Sequence, residues 1–195
     1  AVLRCGGGPD GYTLPGLTHV DVSHDADLVA PPSGWGVHAH CDLPDADATE
    51  ALARAIAPRL GPGDTILLQG QLGAGKSHFA RALIRARMGP DGDSAEIPSP
   101  TYTLVQTYDV PEGEIWHADL YRLGDPQELI ELGLEAAMDD AICLIEWPDR
   151  FAPDWPDAAL CLRFDPVAPD GRRVTLIAPA ASDLARRCQA VMRPE

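Results

Sequence analysis

The sequence predicts an α/β fold organised around one strand, one glycine-rich loop and one helix. Three observations carry this. Thr65 to Gln69 is a short apolar run preceded by the turn Gly61-Pro62-Gly63-Asp64, so it reads as a buried strand. Gly70, four residues, then Gly75-Lys76-Ser77 is a complete phosphate-binding loop pattern, which average residue usage produces in roughly one chain in a hundred of this size. From Lys76 to about Met88, Phe79, Leu83 and Ala86 recur at helical spacing.

The loop residues have physical reasons. Glycines at 70, 73 and 75 let the backbone turn sharply and approach a ligand with no Cβ in the way. Successive N–H groups of a loop running through Gly73, Ala74, Gly75 and His78 form an anion-binding concavity, and the helix adds its positive end. Lys76 reaches the β- and γ-phosphates, and the Ser77 hydroxyl suits Mg²⁺. The other 14 basic residues are arginine, so the one lysine of the chain stands where a compact ammonium is needed.

The totals bound the rest. A chain of 195 residues is one domain, or one domain with a tail, and 45% hydrophobic residues suffice for a core. A net charge of −15 argues against direct, electrostatically driven binding to DNA, RNA or an anionic membrane, although RNA can still be reached through a partner that holds it. The five cysteines are scattered, with no Cys-x-x-Cys, which reads as reduced thiols and a cytoplasmic location. There is neither an apolar run of spanning length nor a signal-peptide pattern, and no internal repeat.

Residues 1–41 read as an N-terminal extension, disordered or packed on the surface, with a short strand near Leu17 to Val22; a processed or trimmed start is one reading of Ala1. His38-Ala39-His40-Cys41 lacks downstream partners at metal-site spacing and reads as a fragment of that extension. The domain is expected over 42–195. Asp45 or Asp47 caps a helix to about Leu60, weakened at its end by Pro58. A strand follows Ile97-Pro98-Ser99-Pro100-Thr101 and runs to about Tyr108. Pro111 to Glu114 turns the chain into a strand from Ile115 to Leu120. Asp125 caps a helix beginning at Pro126, with Leu129, Ile130, Leu132 and Leu134 buried. A short helix ends near Met138. The continuous apolar run Ala141 to Ile145 reads as a central strand buried on both faces. Ala159 to Phe164 and Arg173 to Ile177 form a C-terminal antiparallel hairpin, and Ser182 caps a last helix to about Met192.

Thr101, Asp119 and Glu146 sit at strand ends or in loops. In such sheets ligands bind beyond the carboxyl ends of the strands, so Gln69, Asp119 and Glu146 are expected to converge. Mg²⁺ takes oxygen ligands, commonly one or two carboxylates with a hydroxyl, water and phosphate.

Five segments together resemble one family. These are the loop at Gly70 to Ser77, SPTYTL at 99–104, HADLYRL at 117–123, DPQEL-IELG at 125–133 and CLIEWPDR at 143–150. In order and spacing they resemble the TsaE (YjeE) ATPases of bacterial tRNA threonylcarbamoyladenosine modification, over about residues 43 to 178. The resemblance implies a P-loop NTPase-like three-layer α/β/α fold with a mixed central sheet. It implies ATP and Mg²⁺ as cofactors and weak intrinsic hydrolysis. It also implies work on the TsaB–TsaD complex, which modifies adenosine 37 of tRNAs reading codons that begin with A; tRNA is met only through that complex, and hydrolysis resets it between turnovers. By the same resemblance Lys76 matches the phosphate lysine, Ser77 the Mg²⁺ hydroxyl and Glu146 a Mg²⁺-associated glutamate. Asp119 matches a Walker-B-like aspartate, a ligand directly or through water. Thr101 matches a switch-like threonine and Trp147 a tryptophan beside the nucleotide. Arg172 falls where relatives place an arginine near the nucleotide, and Ala46 to Thr49 where they approach adenine. Residues 1–41 have no counterpart in the family.

Between Arg87 and Arg150 the single cation is Arg122, so the chain is poor in arginine for a self-sufficient phosphate-transfer lid. This argues against a small-molecule kinase and suits a slow, partner-accelerated ATPase, with Arg122 as the internal candidate. With no asparagine, an Asn-Lys-x-Asp guanine element is absent. A nucleotide-gated binding module, its hydrolysis incidental, is the remaining rival.

Overall fold

The structure is a computed structural model and describes residues 28–124, 128, 131–151, 155–167 and 170–192. Its centre is β2 (Thr65–Gly70), buried at every residue. It lies between β5 (Ile142–Glu146) and β6 (Leu160–Val167), parallel to both. Beyond β5 come β4 (Gly113–Asp119), parallel to it, and the antiparallel edge strand β3 (Val105–Val110). Beyond β6 come β7 (Gly171–Pro179) and β1 (Trp35–Leu43), each antiparallel to its neighbour. The sheet order is β1-β7-β6-β2-β5-β4-β3, a mixed seven-stranded sheet, so the α/β reading and the closing hairpin hold.

Side-chain alternation along β2 divides the core into two layers. Ile66 and Leu68 face α1 (Ala46–Ile56), α2 (Lys76–Arg87) and the C-terminal helix α4 (Asp183–Gln189). Leu67 faces the opposite layer, which holds Leu134 and Ala137 of α3 (Leu134–Asp140) and Trp155. Fully burying such a side chain contributes roughly 1.5–3 kcal/mol.

The expected caps are present. Asp45 Oδ1 accepts from Ala48 N at 2.8 Å, and Ser182 Oγ accepts from Ala185 N at 3.1 Å. α1 ends earlier than Leu60, because Pro58 turns the chain into a 3₁₀ turn over Ala57–Arg59. The β3–β4 turn is tighter than expected, with Val110 already paired to Gly113.

The N-terminal boundary needs correction. Residues 35–41 are sheet, not extension, since β1 pairs with β7 from Trp35↔Pro179 to Leu43↔Arg172. A register shift between Val37 and Ala39 breaks the alternation of this edge strand; beyond it Ala39, Cys41 and Leu43 face the core while His40 and Asp42 are exposed. His38 Nε2 lies 3.1 Å from the Pro179 carbonyl, and burial pushes the Cys41 thiol up to about 11, so this stretch serves the sheet. The expected strand near Leu17 to Val22, and the helix start at Asp125 and Pro126 with Leu129 and Ile130, lie outside the described residues.

Candidate functional site

The parallel triplet β4, β5 and β2 brings three strand ends together. Asp119 ends β4 and is the direct cross-strand neighbour of Glu146, which ends β5; Glu146 in turn pairs with Leu68 of β2, two residues before Gly70. Loop and carboxylates therefore meet at one edge, as expected from the strand ends.

The loop requires its glycines where the backbone is crowded. Gly70 has φ +148°, and a Cβ there would stand 2.7 Å from the Phe164 carbonyl oxygen. Gly75 has φ +107° and is the N-cap of α2 with no side-chain cap. The first-turn N–H groups of a twelve-residue helix are thus left for a ligand. A cavity of about 360 Å³ opens over them, lined by Leu72 to His78, Arg81, Thr101, Asp119, Tyr121, Glu146 and Trp147.

Its polar groups are ordered by their neighbours. Ser77 Oγ donates to Glu146 Oε2 at 2.8 Å, and His117 Nε2 holds Glu146 Oε1 at 2.9 Å. Thr101 Oγ1 donates to Asp119 Oδ2 at 2.8 Å, while Ser99 Oγ donates to Thr101 Oγ1 at 2.8 Å. Tyr121 N donates to the other Asp119 oxygen at 3.0 Å. Lys76 Nζ donates to the Gly70 and Gln71 carbonyls at 2.7 and 2.9 Å and lies 4.0 Å from the centre of the Trp147 ring. Desolvation lowers the Lys76 pKa, opposed by the Glu146, Asp119 and Asp149 charges. Trp147 stands at φ +61° and Leu104 at φ +66°, a strained conformation for side chains of this size; Trp147 lines the cavity, and the Leu104 carbonyl accepts from Asp119 N at 2.9 Å.

Two expected residues act through the backbone. Arg122 donates from Nε to Thr101 O at 2.6 Å and from Nη2 to Tyr102 O at 2.7 Å, so it braces the loop carrying Thr101. Arg172 donates to Ala74 O at 2.9 Å and Gly73 O at 3.3 Å, gripping the glycine loop from its outer side. His78 Nε2 lies 3.1 Å from Ala46 O, tying α2 to the start of α1. Gly70 supplies a carbonyl to Lys76 and lies behind the cavity wall.

Sequence reasoning missed two residues. His117 is 0% exposed and orients Glu146; a histidine two residues before a strand-end aspartate, on a buried strand, was the available signal. Arg81 lines the cavity one helical turn beyond Ser77, a position legible from the i+4 spacing.

The acceptor set suits a metal that arrives with phosphate. Among the described residues no group of three or more His, Cys, Asp or Glu could hold an ion. One hydroxyl and one or two carboxylates, completed by phosphate and water, is the donor set Mg²⁺ tolerates. Ser77 and Glu146 already touch, so they fit that role.

The fold and this edge define a P-loop NTPase-like α/β protein. In structure the chain resembles the crystal structure of YdiB from Bacillus subtilis, with TM-score 0.63 and 24% identity over 80% of this chain and 95% of that one. Residues 43–174 match the family model described as threonylcarbamoyl adenosine biosynthesis protein TsaE, and the chain belongs to the TsaE family. It is 44% identical to the tRNA threonylcarbamoyladenosine biosynthesis protein TsaE of Rickettsia bellii over 103 residues, 53% of this chain and 69% of that protein. With the TsaE of Rickettsia felis it shares 43% identity over 107 residues, 55% of this chain and 61% of that protein.

Proposed function

We propose that this protein binds ATP with Mg²⁺ and hydrolyses it slowly, in support of the threonylcarbamoyl modification of tRNA. The observation that carries the reading is the run His117–Glu146–Ser77 beside the open N-terminus of α2, with Asp119–Thr101 facing it. Family membership supplies the pathway.

The chain's own groups divide the work. Backbone N–H groups from Gly73 to His78 donate to the phosphate oxygens. Lys76 exchanges its carbonyl acceptors at Gly70 and Gln71 for the outer phosphates. Ser77 and Glu146 would hold Mg²⁺, which when bound neutralises phosphate charge. His117 keeps the Glu146 carboxylate turned toward Ser77. Asp119, anchored by Thr101 and Tyr121, orients water at the same end. Arg122 and Arg172 shape backbone and leave few cations to offset the charge of the reaction, which supports a slow enzyme accelerated by a partner, the TsaB–TsaD complex. Contact with tRNA runs through that complex.

The reading is tested by ATP turnover in wild type, Lys76→Ala and Glu146→Ala. Hydrolysis by wild type, lost in both variants while the fold survives, supports it; wild-type turnover in either variant sinks it. A nucleotide-gated binding module is favoured by one specific observation. Leu72, which lines the cavity, and Tyr102, next to Thr101 in the chain, are 73% and 88% exposed, as a surface shaped for a partner would be. Glu146→Ala with tRNA modification fully retained would decide for that module.

A further inference from the structure

One cation at the phosphate end has no acceptor. Lys76, Arg122 and Arg172 all donate to backbone carbonyls. Arg81 lines the cavity, is half-buried, and has neither a hydrogen-bond acceptor nor a carboxylate partner among the described residues. A half-buried arginine that lines the cavity with no acceptor in the surrounding protein keeps its N–H donors available for a ligand anion.

Its place on the helix says which part of a ligand it meets. Side chains on a helix lean toward the N-terminus, so a residue at i+4 lies over the turn before it. Arg81 thus lies over Ser77. Arg85, four residues further on the same face, donates from Nε to Ala95 O at 3.1 Å. That carbonyl belongs to the segment that runs on to Ser99 and Thr101. Arg81 also bears electrostatically on Tyr108, whose hydroxyl reaches the Pro98 carbonyl at 3.5 Å in the same segment. The face carrying Ser77, Arg81 and Arg85 therefore looks toward the Thr101 loop. Phosphates laid from the α2 N-terminus toward Thr101 place the terminal one between Ser77 and that loop, within the sweep of Arg81.

We propose that Arg81 is a ligand of the terminal phosphate and makes the site prefer a nucleoside triphosphate over a diphosphate. The inference rests on the nucleotide-site reading above and deepens it. Arg81 contributes two or more N–H donors to the non-bridging oxygens of a group that the diphosphate lacks. The site then reports on the state of its nucleotide through a residue of α2.

The test is calorimetric titration of a non-hydrolysable ATP analogue and of ADP, each with Mg²⁺, into wild type, Arg81→Ala and Arg81→Gln. The expected result is a loss of about tenfold or more in affinity for the analogue and less than about twofold for ADP, in both variants. Arg81→Lys should recover part of the loss. Equal weakening of both nucleotides, or no change in either, overturns the role of Arg81. Wild type binding neither nucleotide brings down the site reading itself, a different result from the first two. Arg81→Gln keeps the bulk and helix propensity of the side chain, and circular dichroism of each variant separates unfolding from lost binding.

Discussion

At the carboxyl ends of β4 and β5, Asp119 and Glu146 are 5% and 2% exposed, and each of their four oxygens has one donor. On the β1–β7 flank, Asp42 and Arg173 pair at 2.7 Å with 59% and 50% of their side chains exposed. The two regions are strands of one sheet under opposite demands. Burying a carboxylate costs several kcal/mol that paired donors only partly return, so stability alone does not favour Asp119 and Glu146 where they are. The exposed pair is solvated in either state and screened by salt. Charge kept out of water at an open helix N-terminus is what the proposed nucleotide site requires, whereas charge displayed on an edge strand suits solubility and register.

The largest effects should come from breaking the buried region. Lys76→Ala and Glu146→Ala are each expected to lower ATP turnover by about a hundredfold or more, since each removes a group that offsets or orients phosphate charge. A melting midpoint close to wild type in both would confirm that catalysis and not folding was removed. A smaller loss is expected from His117→Ala. It frees Glu146 Oε1 and leaves the carboxylate to turn, which should cost about 10–100-fold in turnover, with His117→Gln recovering part of it because an amide N–H can still donate. Steady-state kinetics and nucleotide titration together should place the loss in turnover more than in binding.

Metal removal sharpens the comparison further. With no three-ligand cluster among the described residues, EDTA should leave the melting of the nucleotide-free protein unchanged, yet abolish the rise in melting temperature that ATP and Mg²⁺ produce together. An EDTA-induced loss of stability without nucleotide would point to a resident ion. The smallest effect belongs to the flank. Arg173→Ala should leave turnover at the wild-type level and move the melting midpoint by no more than replicate scatter.

Much of this was legible in the chain. The glycines, Lys76 and Ser77 are spaced by a loop that needs no tertiary context, and β5 shows itself as a continuous apolar run because it is buried on both faces. The convergence of the strand ends at Gln69, Asp119 and Glu146 followed from parallel strands with a shared direction. What was hidden depends on partners distant in sequence. β1 stays unreadable because its partner β7 lies far on in the chain and a register shift between Val37 and Ala39 interrupts its alternation. The role of Arg172 could not be read because its acceptors, Gly73 and Ala74, lie across the sheet from its own strand. Arg122 looked like a free cation in a stretch poor in arginine, and only the fold shows two of its N–H groups donating to the Thr101 and Tyr102 carbonyls. His117 was hidden for a simpler reason: on a buried strand an imidazole reads as core until its partner across the strand is known to be a carboxylate.

The most direct test of the contrast between the two regions is ATP hydrolysis by wild type, Glu146→Ala and Arg173→Ala, each measured with and without the TsaB–TsaD complex. We expect slow turnover in wild type and Arg173→Ala, raised by the complex in both, and none above background in Glu146→Ala under either condition. Hydrolysis by Glu146→Ala at the wild-type rate, or its loss in Arg173→Ala alone, would contradict the assignment of chemistry to the buried strand ends.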